Sequence, residues 1–150
     1  GWLWCMCGGF WTWHAWDSCE GINDRAYQAP GEEFLAPMAY FFRSLPFWRL
    51  APNCTSFAIR CPDLASATLA GANRDLVVSY LGTPYTGVEM HDVETVLRLP
   101  NGEYRLTFYT PADLTVIETK PHQSPGLREE TIFPLPDFVD DLAIKVERIA

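Results

Sequence analysis

Positive charge is scarce in this sequence. Its 150 residues carry 11 Lys and Arg against 19 Asp and Glu, for a formal net charge of −8 and a pI near 4.7. Binding to duplex nucleic acid or to an anionic bilayer depends on Lys and Arg displacing counterions from phosphate, so neither nucleic acid nor membrane is expected as a partner. Long hydrophobic runs are lacking too. The opening run 1–10 is apolar but shorter than the roughly 20 residues a membrane helix needs, and it has neither the basic flank nor the small-residue cleavage site of a signal peptide. It reads as buried protein, and its start in mid-pattern without a methionine suggests a fragment or a processed product. The five cysteines, Cys5, Cys7, Cys19, Cys54 and Cys61, include no C-x-x-C pair and have no histidine pair downstream, so no metal cluster and no cofactor is expected. Cys54 and Cys61 are close enough in sequence to pair across a short excursion; buried reduced thiols are the alternative. With no G-x-S-x-G, and with Ser18 beside Cys19 in no recognisable elbow, serine hydrolase chemistry has no support.

What is present is enough apolar material for a core: 48% of residues are hydrophobic and 20% charged, in the range of a compact domain. All six tryptophans, Trp2, Trp4, Trp11, Trp13, Trp16 and Trp48, precede Pro52, which places a change of composition there. Before it the chain reads as helix end, strand, long loop and helix. Gly8-Gly9 separates the first helix from the strand-like Phe10-Trp11-Thr12-Trp13. The connection 17–31 is long, and long ordered connections tend to be functional. After Pro30, Glu32 and Glu33 suit the positive end of a helix, Pro37 its first turn, and Phe34, Met38, Phe41 and Leu45 recur at helical spacing until Pro46. The stretch 47–52 reads as an apolar connector packed between two units.

From Thr55 onward, short β-branched and apolar runs broken by turn residues predict an antiparallel β-sandwich of the immunoglobulin-like or jelly-roll-like kind. About eight strands are expected, at 56–60, 65–70, 76–81, 88–90, 95–99, 102–110, 115–120 and 142–148, with 130–133 as a further one. Leu76, Val78 and Tyr80 alternate with Val77, Ser79 and Leu81, as do Tyr104, Leu106 and Phe108 with Arg105, Thr107 and Tyr109, so one face of each strand can be buried. Pro100-Asn101-Gly102 predicts a hairpin turn.

Three stretches carry a family likeness. They are Gly8 through His14, Ala29-Pro30-Gly31, and the helix running from Phe41 into Trp48-Arg49-Leu50-Ala51-Pro52. In this order the chain resembles barrel glycoside hydrolases of the apiosidase-like type. Their last helix runs to a W-x-L-x-P connector and then into a small β-sandwich, sometimes labelled collagen-binding. Phrases similar to those of that sandwich occur at 72–81 and 99–104. The likeness implies that residues 1–52 are the end of a (β/α)8 barrel (helix, strand 8, loop, helix 8) and that 53–150 are an accessory sandwich. Where that family usually has a Gly-x-Tyr-rich strand, this chain has closely spaced tryptophans, and Phe108-Tyr109-Thr110-Pro111 replaces a common Trp-Phe-Asp-Pro phrase.

A whole barrel needs about 250 residues, so the likeness puts most of its strands, and both catalytic carboxylates, upstream of Gly1. No catalytic residue is expected within the chain itself. Its partners would be a carbohydrate substrate and the remainder of the parent barrel. Sugars stack flat C–H faces on aromatic rings and need fixed donors and acceptors for their hydroxyls. Trp13, His14, Trp16 and Asp17, where the strand would leave the barrel, are therefore the expected substrate-binding residues, with core packing as the plain alternative for Trp11 or Trp13 and a buried, hydrogen-bonded role for His14. Asp17 and Glu20 are weak candidates for a carboxylate pair. Glu89, His91, Asp92 and Glu94 form an acidic patch that suits either a calcium ion or, more simply, a solvated edge. Asn53-Cys54-Thr55 has the form of a glycosylation sequon.

Overall fold

The computed structural model describes residues 1–9 and 35–150. Two helices come first: α1, Trp2–Met6, and α2, described over Leu35–Arg43. A 3-10 turn, Phe47–Arg49, leads into the strands β1 Leu50–Pro52, β2 Phe57–Ile59, β3 Ala65–Gly71, β4 Leu76–Gly82, β5 Glu89–Met90 and β6 Glu94–Leu97. They are followed by β7 Gly102–Tyr109, β8 Val116–Ser124, β9 Thr131–Pro134, β10 Phe138–Val139 and β11 Asp141–Arg148. Every strand pairing described is antiparallel. A six-stranded sheet, ordered β1-β3-β4-β11-β7-β8, packs against a three-stranded sheet, β2-β6-β9, and a two-stranded ribbon, β10-β5. The fold is the mainly antiparallel β-sandwich that the alternation predicts.

The register explains how the large sheet divides its side chains. Facing the small sheets, Ser66, Leu81 and Leu142 lie side by side, as do Thr68, Ser79, Ile144 and Phe108, then Ala70, Val77, Val146 and Leu106. Leu81, Leu142, Ile144, Val77 and Phe108 are inaccessible to solvent, and Phe57, Leu97, Leu135 and Phe138 close over them from the opposite layer. Two neighbouring hydroxyls in this core satisfy each other: Thr68 Oγ1 and Ser79 Oγ, across the strands, are 2.8 Å apart.

The other face is graded. Its first row, Ala67, Tyr80, Ala143 and Tyr109, is small or aromatic; its second contains Leu69, Val78, Lys145 and Thr107; its third carries Leu76, Glu147 and Arg105. The helices cover the apolar end of this gradient. Met6, Phe41 and Leu45 are buried against Leu69, Val78 and Ala143. Trp2 joins the layers: its ring stacks on Tyr80 at 5.6 Å and 10°, and meets Phe41 at 5.0 Å and Phe42 at 5.4 Å. Phe41 in turn meets Tyr109 edge-on at 5.7 Å. Such ring pairs each add about 0.5–1.5 kcal/mol beyond the area they bury. At the uncovered end Arg105 Nη2 pairs with Glu147 Oε2 at 3.1 Å across the strands.

Four expectations need correction. The central strands are buried on both faces, because α1 and α2 supply a second apolar layer that one-sided alternation does not reveal. Asn101-Gly102 is not a hairpin turn: β6 and β7 belong to different sheets, and the turn carries the chain from one layer to the other. Gly102 has φ 152°, and a Cβ there would lie 2.8 Å from the Ala150 carbonyl oxygen, so a close backbone approach fixes the residue. The connector 47–52 is partly a strand, with Leu50–Pro52 pairing to Gly71, Ala70 and Leu69, and its Trp48 is exposed. Finally, β8 runs through Pro121 to Ser124, which is possible because it is an edge strand whose outer N–H groups have no ladder to join.

The two-sided core has measurable consequences. Ile144→Ala is expected to lower the unfolding free energy by about 2–5 kcal/mol. Thr68→Val should cost about 1–3 kcal/mol by leaving the Ser79 hydroxyl buried without its partner. Urea denaturation of each variant beside the unaltered chain measures both.

Candidate functional site

Trp13, His14, Trp16 and Asp17 lie outside the described residues, as do Trp11, Ser18, Cys19, Glu20, Glu32, Glu33 and Phe34. The two ends between which they run are described. At the first, α1 closes through Gly8 and Gly9. Gly8 has φ 82°, and a Cβ on it would sit 3.1 Å from Pro52 Cγ; a Cβ on Gly9 would overlap the Trp4 indole. The Gly-rich step therefore lets the chain leave α1 tight against β1. At the second end α2 begins its described course at Leu35 and is held by Met38, Phe41 and Leu45.

Between the helices lies a cleft of about 380 Å³, lined among others by Cys5, Gly9, Met38, Phe42 and Arg43. The segment bearing the four expected substrate contacts starts from the rim of this cleft, since Gly9 is part of its wall. Among the described residues the lining is apolar with one guanidinium and no carboxylate. It can hold a flat apolar face, and among the described residues it contains no acid/base pair. Burial pushes the Cys5 thiol above its ordinary pKa, which keeps it protonated and unreactive.

One described carboxylate is held in a half-buried pair elsewhere. Tyr80 Oη donates to Asp141 Oδ2 at 2.9 Å, tying the first residue of β11 to β4 beneath Trp2. Burial raises both pKa values, and for Tyr80 the negative charge of Asp141 adds to the effect. This pair, 61 residues apart in sequence, leaves no local signal. Asn53 of the sequon uses its Oδ1 to accept from the Thr55 and Ser56 amides at 3.0 and 2.8 Å, closing the turn between β1 and β2. Cys54 and Cys61 are not paired; both are free, Cys54 exposed and Cys61 half-buried, and of the described cysteines only Cys5 is a buried reduced thiol.

In the acidic patch, His91 sits between two carboxylates, with Nδ1 3.0 Å from Asp137 Oδ2 and Nε2 3.5 Å from Glu89 Oε2. Asp137 was not anticipated; it reaches His91 because β10 pairs with β5. The neighbouring Asp140, at φ 62°, accepts the Val88 amide at 2.7 Å, which with Gly87 lowers its pKa. The described residues gather no group of three or more His, Cys, Asp or Glu side chains suited to a metal ion. No helix among them is long and apolar enough to cross a membrane.

No family model and no curated protein matches the sequence. Solved structures match in fold. A glycoside hydrolase superposes with a TM-score of 0.54 at 16% identity, over 79% of this chain and 25% of its own. A glycoside hydrolase family 5 protein from Bacteroides vulgatus gives 0.54 at 15% identity, over 79% and 24%. Alpha-L-fucosidase isoenzyme 2 from Paenibacillus thiaminolyticus gives 0.45 at 16% identity, over 63% and 16%. The likeness to the first two is one of fold, and the chain spans about a quarter of their length.

The His91 clasp yields a pH prediction. Hydrogen bonding and charge from Asp137, then from Glu89, raise the imidazole pKa above its ordinary 6.5. Any stability it contributes is therefore fully present below 6.5 and is lost as pH rises through the higher folded value. An NMR titration of the ring protons should show a midpoint above 6.5 that moves down in Asp137→Asn.

Proposed function

We propose that this chain is the C-terminal portion of a glycoside hydrolase acting on polysaccharide or oligosaccharide, of the apiosidase-like type its phrases resemble. In this reading residues 1–52 close a (β/α)8 barrel, and the sandwich buttresses that barrel from behind α1 and α2. The carboxylates that cleave the glycosidic bond come from earlier strands. Trp13, His14, Trp16 and Asp17 form one wall of the sugar cleft, where indole faces stack on the substrate and the imidazole and carboxylate bind its hydroxyls.

One observation carries the proposal. The helical layer is apolar on both sides: its inner side is buried on the sheet, while Tyr40 on α2 is 68% exposed and Leu3 on α1 39%. A helix that is apolar all round belongs between two partners, and the sheet supplies one. The fold shared with glycoside hydrolases about three times as long is consistent with this.

A non-catalytic carbohydrate-binding module is the second reading. It is favoured by Trp48, which is 84% exposed and adjoins in sequence Arg49, one wall of a notch at the sheet edge.

The 150-residue chain alone should hydrolyse no aryl glycoside, whereas the parent protein should. In the parent, Trp13→Ala is expected to lower kcat/KM by about tenfold, the loss of one stacking contact of about 1.4 kcal/mol, with the melting temperature unchanged. Unaltered kinetics would remove Trp13 from the cleft.

A further inference from the structure

At the edge of the large sheet, the turn between β3 and β4 meets the 3-10 turn that precedes β1. Together they enclose a notch of about 350 Å³, lined among others by Pro46, Arg49, Leu50, Asn73 and Asp75. Trp48, next to Arg49 in sequence, is the most exposed of the large apolar side chains at 84%, and it engages no other ring among the described residues.

The polar groups of the notch are fixed but not saturated. Arg49 Nη2 and Asp75 Oδ2 are 3.9 Å apart, close enough to offset each other's charge and too far for a hydrogen bond. The guanidinium donors and carboxylate lone pairs therefore remain available to a third molecule. Their frame is rigid. Gly71 makes room for the carboxylate, since a Cβ on it would lie 2.8 Å from Asp75 Oδ1. The Asp75 carbonyl accepts the Arg148 amide at 2.8 Å. Arg74, at φ 54°, reaches the Arg98 carbonyl at 3.2 Å and Thr55 Oγ1 at 3.0 Å. A site ordered before its ligand arrives loses little entropy on binding.

An exposed indole on the residue next to a charge-balanced donor and acceptor pair suits a neutral saccharide. The ring stacks on a pyranose C–H face, and a vicinal diol bridges guanidinium and carboxylate. The net charge of −8 works against an acidic glycan. We propose that Trp48, Arg49, Asn73 and Asp75 form a surface subsite for a neutral saccharide at this edge of the large sheet.

The test is affinity electrophoresis of the 150-residue chain in gels containing arabinoxylan, mixed-linkage β-glucan, galactomannan or polygalacturonate. Retardation is expected in at least one neutral gel and not in polygalacturonate. Trp48→Ala and Asp75→Ala should weaken it at least about fivefold, and Trp48→Phe should retain part of it. The urea midpoint of Trp48→Ala should be unchanged, since the side chain is exposed. Equal mobility in every neutral gel, retardation indifferent to Trp48→Ala, or retention by polygalacturonate alone overturns the proposal. Loss of thermal stability in the parent on Trp48→Ala, with gel mobility unmoved, would instead make Trp48 a contact to the rest of that protein. Turnover by the parent, which tests the barrel reading, is a separate measurement and leaves this result untouched.

Discussion

Apart from the Arg105–Glu147 end, the central strands of the six-stranded sheet have water on neither side, and this constraint organises the rest of the molecule. β4 and β11 present Val77, Leu81, Leu142 and Ile144 to the small sheets, and Val78, Tyr80 and Ala143 to the helices. A strand buried on both faces loses register only by exposing one apolar set or the other, so its pairing is strongly specified. The small sheets then need only to cover one face and the helices the other, which is why β5 and β10 suffice at two residues each.

The same layering bears on function through the helices. α1 has five residues and would not hold its shape alone in water. It is kept in place by Trp2, wedged between Tyr80 and the Phe41-Phe42 pair. The Gly8-Gly9 exit and the described start of α2 are thereby set at fixed places on the sheet, so both ends of the segment carrying Trp13 and Trp16 are anchored by the sandwich. In the proposed reading such a buttress would act on a distant cleft by holding its walls still, without touching what is bound there.

Much of the sandwich was legible in the sequence because period-two alternation and turn residues report burial directly. Strands were expected within a few residues of β2, β3, β4, β6, β7, β9 and β11, and the spacing of Met38, Phe41 and Leu45 marked α2. What escaped was decided by partners far along the chain. Leu50–Pro52 is a strand only because β3 offers it an edge, and Phe138–Val139 only because β5 does. Asn101-Gly102 has the composition of a hairpin, yet its role is set by Ala150 and Arg148 beside Gly102. For the candidate site, aromatic clustering drew attention to Trp13 and Trp16. The polar group beside Trp48 went unnoticed because Arg49 and Asp75 are brought together only by the pairing of β1 with β3.

The order of the strands also governs how the molecule is made. The middle of the large sheet is filled by β11, the last of the described strands, which joins β4 on one side to β7 on the other. During synthesis the half-sheets β1-β3-β4 and β7-β8 emerge first, each with an unpaired inner edge, and they stay unjoined until residue 148 has cleared the ribosome. The nascent protein thus passes through an interval with two sticky edges and a divided core, and the window in which a chaperone would matter closes when β11 takes its place between β4 and β7.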